Sequence, residues 1–211
     1  MNQKIVITIN REYGSGGKTI GEMLSEELGI HYYDKEILKL AADDSGISEA
    51  LFNNADTNFK STRLFKVARS IYNGELIPPE SEDFTSTQNL FNYQAKIIKR
   101  LAQEESCIIV GRCGNFILKD MENVVRVFTH APHYFLMQEA MKKKSLPPKE
   151  LEQYVEKENK RRAAYNLYYT GEDWADAHNY DLCLDSSKLG FEKCVELIKG
   201  YMKVRFDGLE F

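Results

Sequence analysis

The chain carries no excess of positive charge: 28 Lys and Arg stand against 32 Asp and Glu in 211 residues, a formal net charge of −4. A field of that sign draws in neither nucleic acid nor an anionic membrane, so local groups must hold any phosphate the protein binds. Cysteine is scarce. The four residues Cys107, Cys113, Cys183 and Cys194 lie far apart with no CxxC pair, which points to buried reduced thiols rather than a metal site. His130 and His133 are three apart across a proline and have no cysteine partner, so they do not suggest a metal site either. No apolar run approaches the length of a membrane span. The opening KIVITIN has neither the basic region nor the cleavage site of a signal peptide, and the cytoplasm is the expected compartment. Internal repeats and low-complexity tracts are missing too, which excludes a solenoid.

What is present is ordinary globular material, 43% hydrophobic and 28% charged. That composition and length suit one domain over residues 1–211. Runs rich in β-branched and aromatic residues predict strands at Lys4 to Ile9, His31 to Tyr33, Cys107 to Val110, Val124 to Thr129 and Tyr180 to Leu184. Helical patterns separate them. The first helix, from about Lys18, sets Ile20, Met23, Leu24 and Leu28 on one face and stops at Gly29, a C-terminal cap. Strands alternating with helices predict an α/β fold, a mostly parallel sheet covered on both faces. Two segments stand outside this scheme. Residues 43–104 form a largely helical insertion with a loop at Asn73 to Thr87, suited to an acceptor region. Residues 149–176 form a long helix followed by an exposed irregular stretch that resembles a lid. The stripe Leu64, Val67, Ala68 and Ile71 could face the core or a second copy of the chain, and a homodimer stays open.

The stretch NREYGSGGKT, residues 10–19, joins the first strand to the first helix. Small residues let successive amides converge on an anion at a helix N-terminus, and a nearby lysine neutralises charge further along a phosphate chain. Gly14, Ser15, Gly16 and Gly17 meet the first need, with Lys18 and Thr19 placed for the second. The strict pattern GxxxxGK[ST], anchored on Gly17, Lys18 and Thr19, would require glycine where Glu12 stands. The alternative is a glycine-rich turn with Lys18 exposed. Arg11, beside Glu12, could touch phosphate or pair with that acid.

The segment ITINREYGSGGKTIGEMLSEELGIHYYDKEIL resembles the opening of the cytidylate kinase-like family of P-loop kinases. IIVGRCGNFIL, the helix around Gln94, NKRRAAYNLYYTG and NYDLCLDSSKLG agree in the expected order. The resemblance implies a P-loop NTPase fold with a five-stranded parallel sheet, a monophosphate-binding region and a lid. It implies ATP and Mg²⁺ as cofactors, and phosphoryl transfer to a nucleoside monophosphate, CMP or dCMP first, with small nucleotides and not nucleic acid or membrane as partners. Catalysis of that kind is mostly positioning and charge stabilisation, so clustered arginines matter most.

Carried over residue by residue, Gly14, Ser15 and Gly16 match the loop and Thr19 its closing threonine, with a weak metal-binding role. The loop lysine falls on Gly17, and Lys18 is displaced by one residue. Arg112 matches the arginine that contacts the acceptor phosphate, and Val110 stands where an acid often precedes the glycine. Asp34 could contact the acceptor or cap the next helix. Asp185, with Ser187, falls in the donor-base region, or forms a cap or turn. In the lid, charge pairs four apart (Glu156 with Lys160, Lys157 with Arg161, Glu158 with Arg162) fit a solvated face. Yet Leu151, Val155, Glu158, Arg162 and Tyr165 fall on one stripe, which singles out Arg162 as the transition-state arginine, supported by Lys160 and Arg161. Two other outcomes remain: a nucleotide-binding protein that lost its chemistry, and a P-loop kinase for another small acceptor.

Overall fold

The structure is a computed structural model that describes residues 4–57 and 72–206. The stripe Leu64, Val67, Ala68 and Ile71 lies outside the described residues. Strands β1 (Val6–Arg11), β2 (His31–Tyr33), β3 (Cys107–Val110), β4 (Val124–His130) and β5 (Leu182–Asp185) form one sheet in the order β2-β3-β1-β4-β5, and every pairing is parallel. Each of the five predicted strands is present, with bounds shifted by about two residues at most. A strand with helices on both faces has no polar face, and the burial of Val6 through Asn10 in β1 reflects this.

Alternation along the strands sends side chains to two cores. Val6, Cys107 and Ile109 face one core with Ile37, Phe91, Ile97 and Ile98, which lie on α2 (Glu36–Ser45) and α4 (Thr87–Glu104). Ile7, Ile9, Ile108 and Val110 face the other, with Ile20 and Leu24 from α1 (Gly17–Leu28) and Val195 and Ile198 from α8 (Ser186–Arg205). The remaining α-helices among the described residues are α3 (Glu49–Thr57), α5 (Gly114–Ile117), α6 (His133–Lys143) and α7 (Pro148–Thr170). The α1 helix ends as expected, with Gly29 at φ 63° and its amide donating to the Ser25 carbonyl. Cys183 departs from expectation: it is exposed, because β5 is the sheet's edge, whereas Cys107, Cys113 and Cys194 are buried. No helix among the described residues is long and apolar enough to cross a membrane.

Strands β2 and β3 lie on one side of β1, and β4 and β5 on the other. The connection leaving β1 runs toward β2 on one side, that leaving its neighbour β4 runs toward β5 on the other, and a crevice opens at their carboxyl ends, where ligands bind in open α/β sheets. The opposite end is locked by charge. Asp181 accepts from the Arg126 backbone amide (2.8 Å), from Arg126 Nη2 (2.9 Å) and from Arg205 Nη1 (3.2 Å). Burial alone would raise the Asp181 carboxyl pKa. The hydrogen bonds from Arg126 and the two positive charges outweigh it, and the net shift is downward. A carboxyl pKa lowered by folding contributes stability above its unfolded value and loses it as pH falls through the folded value. Asp181→Asn should cost about 2–3 kcal/mol near neutral pH, a fall of roughly 5–10 °C in Tm. The gap between variant and wild type should close below about pH 4; a gap constant from pH 7 to 3 would show that the carboxylate's charge contributes nothing.

Candidate active site

The loop between β1 and α1 is held from below. Ser15 is fully buried, its hydroxyl 3.0 Å from the Glu12 carbonyl and 2.8 Å from Thr129 Oγ1. The Glu12 amide donates to the Thr129 carbonyl, and the Glu12 carboxylate accepts from the Ala131 amide. Glu12 is thus committed to anchoring the loop on β4. Gly14 (φ 92°) and Gly16 (φ 80°) take the left-handed conformation that such a turn requires. Gly16 precedes the first residue of α1, and no side chain caps that helix N-terminus. Its first amides are therefore open to an anion.

Beside the loop, a cleft is lined by Arg11, Arg112, Arg161 and Arg162 together with Asp34 and Asp56. Four guanidinium groups against two carboxylates leave two positive charges, the complement of a phosphate dianion. Arg112 follows β3, where Gly111, Arg112 and Cys113 all have positive φ (78°, 56° and 56°). For two non-glycine residues this is costly backbone, of the kind that persists where surrounding contacts over-determine it. Those contacts are visible: Arg112 Nε donates to the Asp34 carbonyl (2.8 Å), and Nη1 to Asp56 (3.0 Å) and to Gln94 (3.3 Å). The side chain is only 5% exposed.

The α7 helix supplies the other wall. Leu151, Val155 and Tyr165 are buried and Arg162 continues their stripe, donating from Nη1 to the Arg11 carbonyl at 2.8 Å and lying over the Tyr13 ring. Burial, and then the positive charges of Arg11 and Arg161, push the Arg162 pKa down. An anion entering the cleft would relieve that strain. Arg161 turns the same way, reaching the Asp56 carbonyl through Nη1 and Glu158 at 3.1 Å through Nη2. Glu158 thus pairs with Arg161, three residues on, and not with Arg162. Lys160 points away, 77% exposed, and pairs with Glu156 as a solvated face predicts. Asn159 accepts from the Tyr13 amide at 2.7 Å and ties α7 to the loop.

The site thus joins a glycine loop at an uncapped helix N-terminus, a cationic cleft beside it, and a helix that places arginines along both. A model of the cytidylate kinase-like family matches residues 6–188. The chain belongs to the cytidylate kinase-like family. It is similar, at 24% identity over 202 residues, to the cytidylate kinase of Sulfurisphaera tokodaii, with 94% of this chain and 95% of that protein covered. Among solved structures it is similar to an uncharacterized protein from Eubacterium ventriosum, at 25% identity and a TM-score of 0.69 over 95% of this chain and 99% of that one. It is also similar to shikimate kinase from Bacteroides thetaiotaomicron, at 11% identity and a TM-score of 0.54 over 94% and 98%. The expected P-loop kinase fold, with its five parallel strands, is the one observed.

In this cytidylate kinase-like chain, the structure gathers Arg11, Asp34, Arg112, Arg161 and Arg162 at one cleft, and Arg11, Gly14, Gly16, Gly17, Lys18 and Asp34 at the adjoining loop cleft. It leaves three other expected residues aside. Lys160 faces solvent, while Asp185 and Ser187 are occupied with each other: Asp185 Oδ1 accepts from the Ser187 amide and hydroxyl and so caps α8. Thr19 sits one residue beyond Lys18 in the first turn of α1. Sequence reasoning missed Asp56, an acid in the insertion with no motif around it. It also missed Asn10, whose amide nitrogen reaches Asn115 (3.0 Å) and Tyr180 (2.9 Å) and braces the cleft floor.

Proposed function

We propose that the protein transfers the γ-phosphoryl group of ATP to a nucleoside monophosphate, with CMP or dCMP the first acceptor to try. The observation that carries this reading is the four-arginine cleft abutting the glycine loop. A monophosphate acceptor brings its own dianion to Arg112, and its attacking oxygen needs no base. Arg161 and Arg162 then face the phosphoryl group between the two clefts, where charge spreads over its equatorial oxygens. Closure of α7 as a lid would exclude water, so that ATP is not lost to hydrolysis.

Mg²⁺ fits one acid here. Asp34 lines both clefts, and its ion pairs with Arg11 and Arg112 are long, 3.9 Å each, leaving oxygens to share. Magnesium characteristically takes one or two carboxylates plus substrate phosphates and water, and no cluster of three or more His, Cys, Asp or Glu exists among the described residues. Asp34 would hold the ion, which would supply positive charge to the phosphates of the donor.

ADP release from Mg-ATP, measured with each nucleoside monophosphate against a no-acceptor control, tests the reading. Acceleration by CMP or dCMP is the expected result. Gly17, standing where the loop lysine belongs, favours a second reading, a nucleotide-binding protein without turnover. In that case ATP binds and no acceptor accelerates release.

A further inference from the structure

Gly16, the last residue before α1, fixes the register of the loop. In GxxxxGK[ST] the lysine follows the second glycine and the metal-binding hydroxyl follows the lysine. Those places are held here by Gly17 and Lys18, and the first glycine's place, five residues before Gly16, is held by Arg11. A cation and a glycine have changed places across the loop.

Packing gives the reason. A Cβ on Gly17 would lie 2.5 Å from Arg11 Cβ, 2.8 Å from Arg11 Cγ and 2.8 Å from Thr129 Oγ1, so any side chain there would force the arginine stem or the β4 threonine to shift. The guanidinium at the far end lies against Gly111, where a Cβ would collide with Arg11 Nη1. Two glycines from different elements therefore leave the channel that Arg11 fills. The group it delivers is poorly paired: the side chain is 18% exposed and its Asp34 partner is 3.9 Å away. Burial pushes its pKa down, as it does for a cation short of counter-charge. Arg11 also lines both the loop cleft and the arginine cleft, at the seam where a transferring phosphoryl group would sit. Lys18, by contrast, is 59% exposed and pairs with Glu22 one turn along α1 at 3.5 Å.

We propose that Arg11 supplies the charge a phosphate loop ordinarily takes from its lysine, that it holds the terminal phosphates of a nucleoside triphosphate, and that residue 17 is glycine to admit it. The inference rests on the reading that the loop holds ATP, and goes beyond it in moving the essential cation from the helix to the end of β1. A planar fork at this place offers two parallel hydrogen bonds to phosphate oxygens, where an ammonium offers a point charge.

Equilibrium binding of Mg-ATP, ADP and adenosine without any monophosphate acceptor tests this in Arg11→Met, Arg11→Lys, Lys18→Met and Gly17→Ala, each with a melting curve. Methionine fills the channel without charge, so Arg11→Met should weaken ATP about 30-fold, and adenosine much less. Arg11→Lys should bind ATP more tightly than Arg11→Met, Lys18→Met should stay within about threefold of wild type, and Gly17→Ala should lose about tenfold by crowding the stem. Should Arg11→Met prove unstable, Arg11→Lys against Lys18→Met carries the comparison. Wild-type ATP affinity in Arg11→Met, or a larger loss in Lys18→Met, overturns the proposal. Because the binding assay omits acceptor it is independent of turnover: unchanged ATP binding in Arg11→Met, with transfer retained when a monophosphate is added in the separate ADP-release assay, would refute Arg11 and leave the transferase reading standing. A selective loss of ATP in a protein that phosphorylates no monophosphate would do the reverse.

Discussion

Arg162→Ala is expected to lower kcat for phosphoryl transfer by about 10³-fold, at the lower end of what arginines that stabilise a transferring phosphoryl group supply. The Kd of Mg-ATP should change by less than about fivefold, because the loop amides and Arg11 hold the ground state. The geometry supports that division. Arg162 uses Nη1 to hold the Arg11 carbonyl at 2.8 Å and lines the arginine cleft. Its pKa, pushed down by burial and by neighbouring guanidinium groups, marks a site where positive charge awaits compensation. Losing an interaction realised only when charge develops lowers kcat and kcat/KM equally. Arg162→Lys, which keeps the charge and loses the fork, should recover only part of the rate. A rise in KM for ATP with kcat intact would place Arg162 in donor binding and sink the assignment.

The sequence made the sheet legible because its strands are short and rich in β-branched and aromatic residues, with Val6 through Asn10 and Cys107–Val110 buried on both faces. Helical periodicity likewise placed Arg162 on the inward face, since burial of Leu151, Val155 and Tyr165 one to three turns away dictates which face of α7 turns inward. Periodicity could not find Asp56. An acid on a helix looks the same in sequence whether it meets water or, as here, Arg112 at 3.0 Å. Asp185 illustrates a different ambiguity: a polar residue at the end of a strand marks a ligand site and a helix cap equally well, and its hydrogen bonds to Ser187 show that it caps α8. Gly17 read as a missing lysine until the volume beside it was seen to hold Arg11. What stayed hidden is spatial in each case, a contact between residues that no local pattern couples.

Arg112 is where stability and activity have to be separated. Replacing it by methionine should reduce kcat/KM for the acceptor by about 10³-fold with ATP affinity kept, since a truncated bidentate anion contact loses both charge and geometry. The same change strands Asp56. With Arg112 Nη1 gone, that carboxylate, about 20% exposed, keeps no charged partner at 3.0 Å, and the Gln94 oxygen loses a donor. A cost of about 2–3 kcal/mol follows from an uncompensated, largely buried charge, so a loss of activity alone would not identify the acceptor site. The double variant Arg112→Met with Asp56→Asn removes the stranded charge and should regain most of the lost Tm, while acceptor kcat/KM stays as low as in the single variant. Asp56→Asn by itself should retain transfer and bind acceptor somewhat more tightly, because Asp56 competes with the incoming phosphate for the same guanidinium. If restoring Tm also restored kcat/KM, Arg112 would be holding α3 in place, and the acceptor phosphate would have to be sought elsewhere along the cleft.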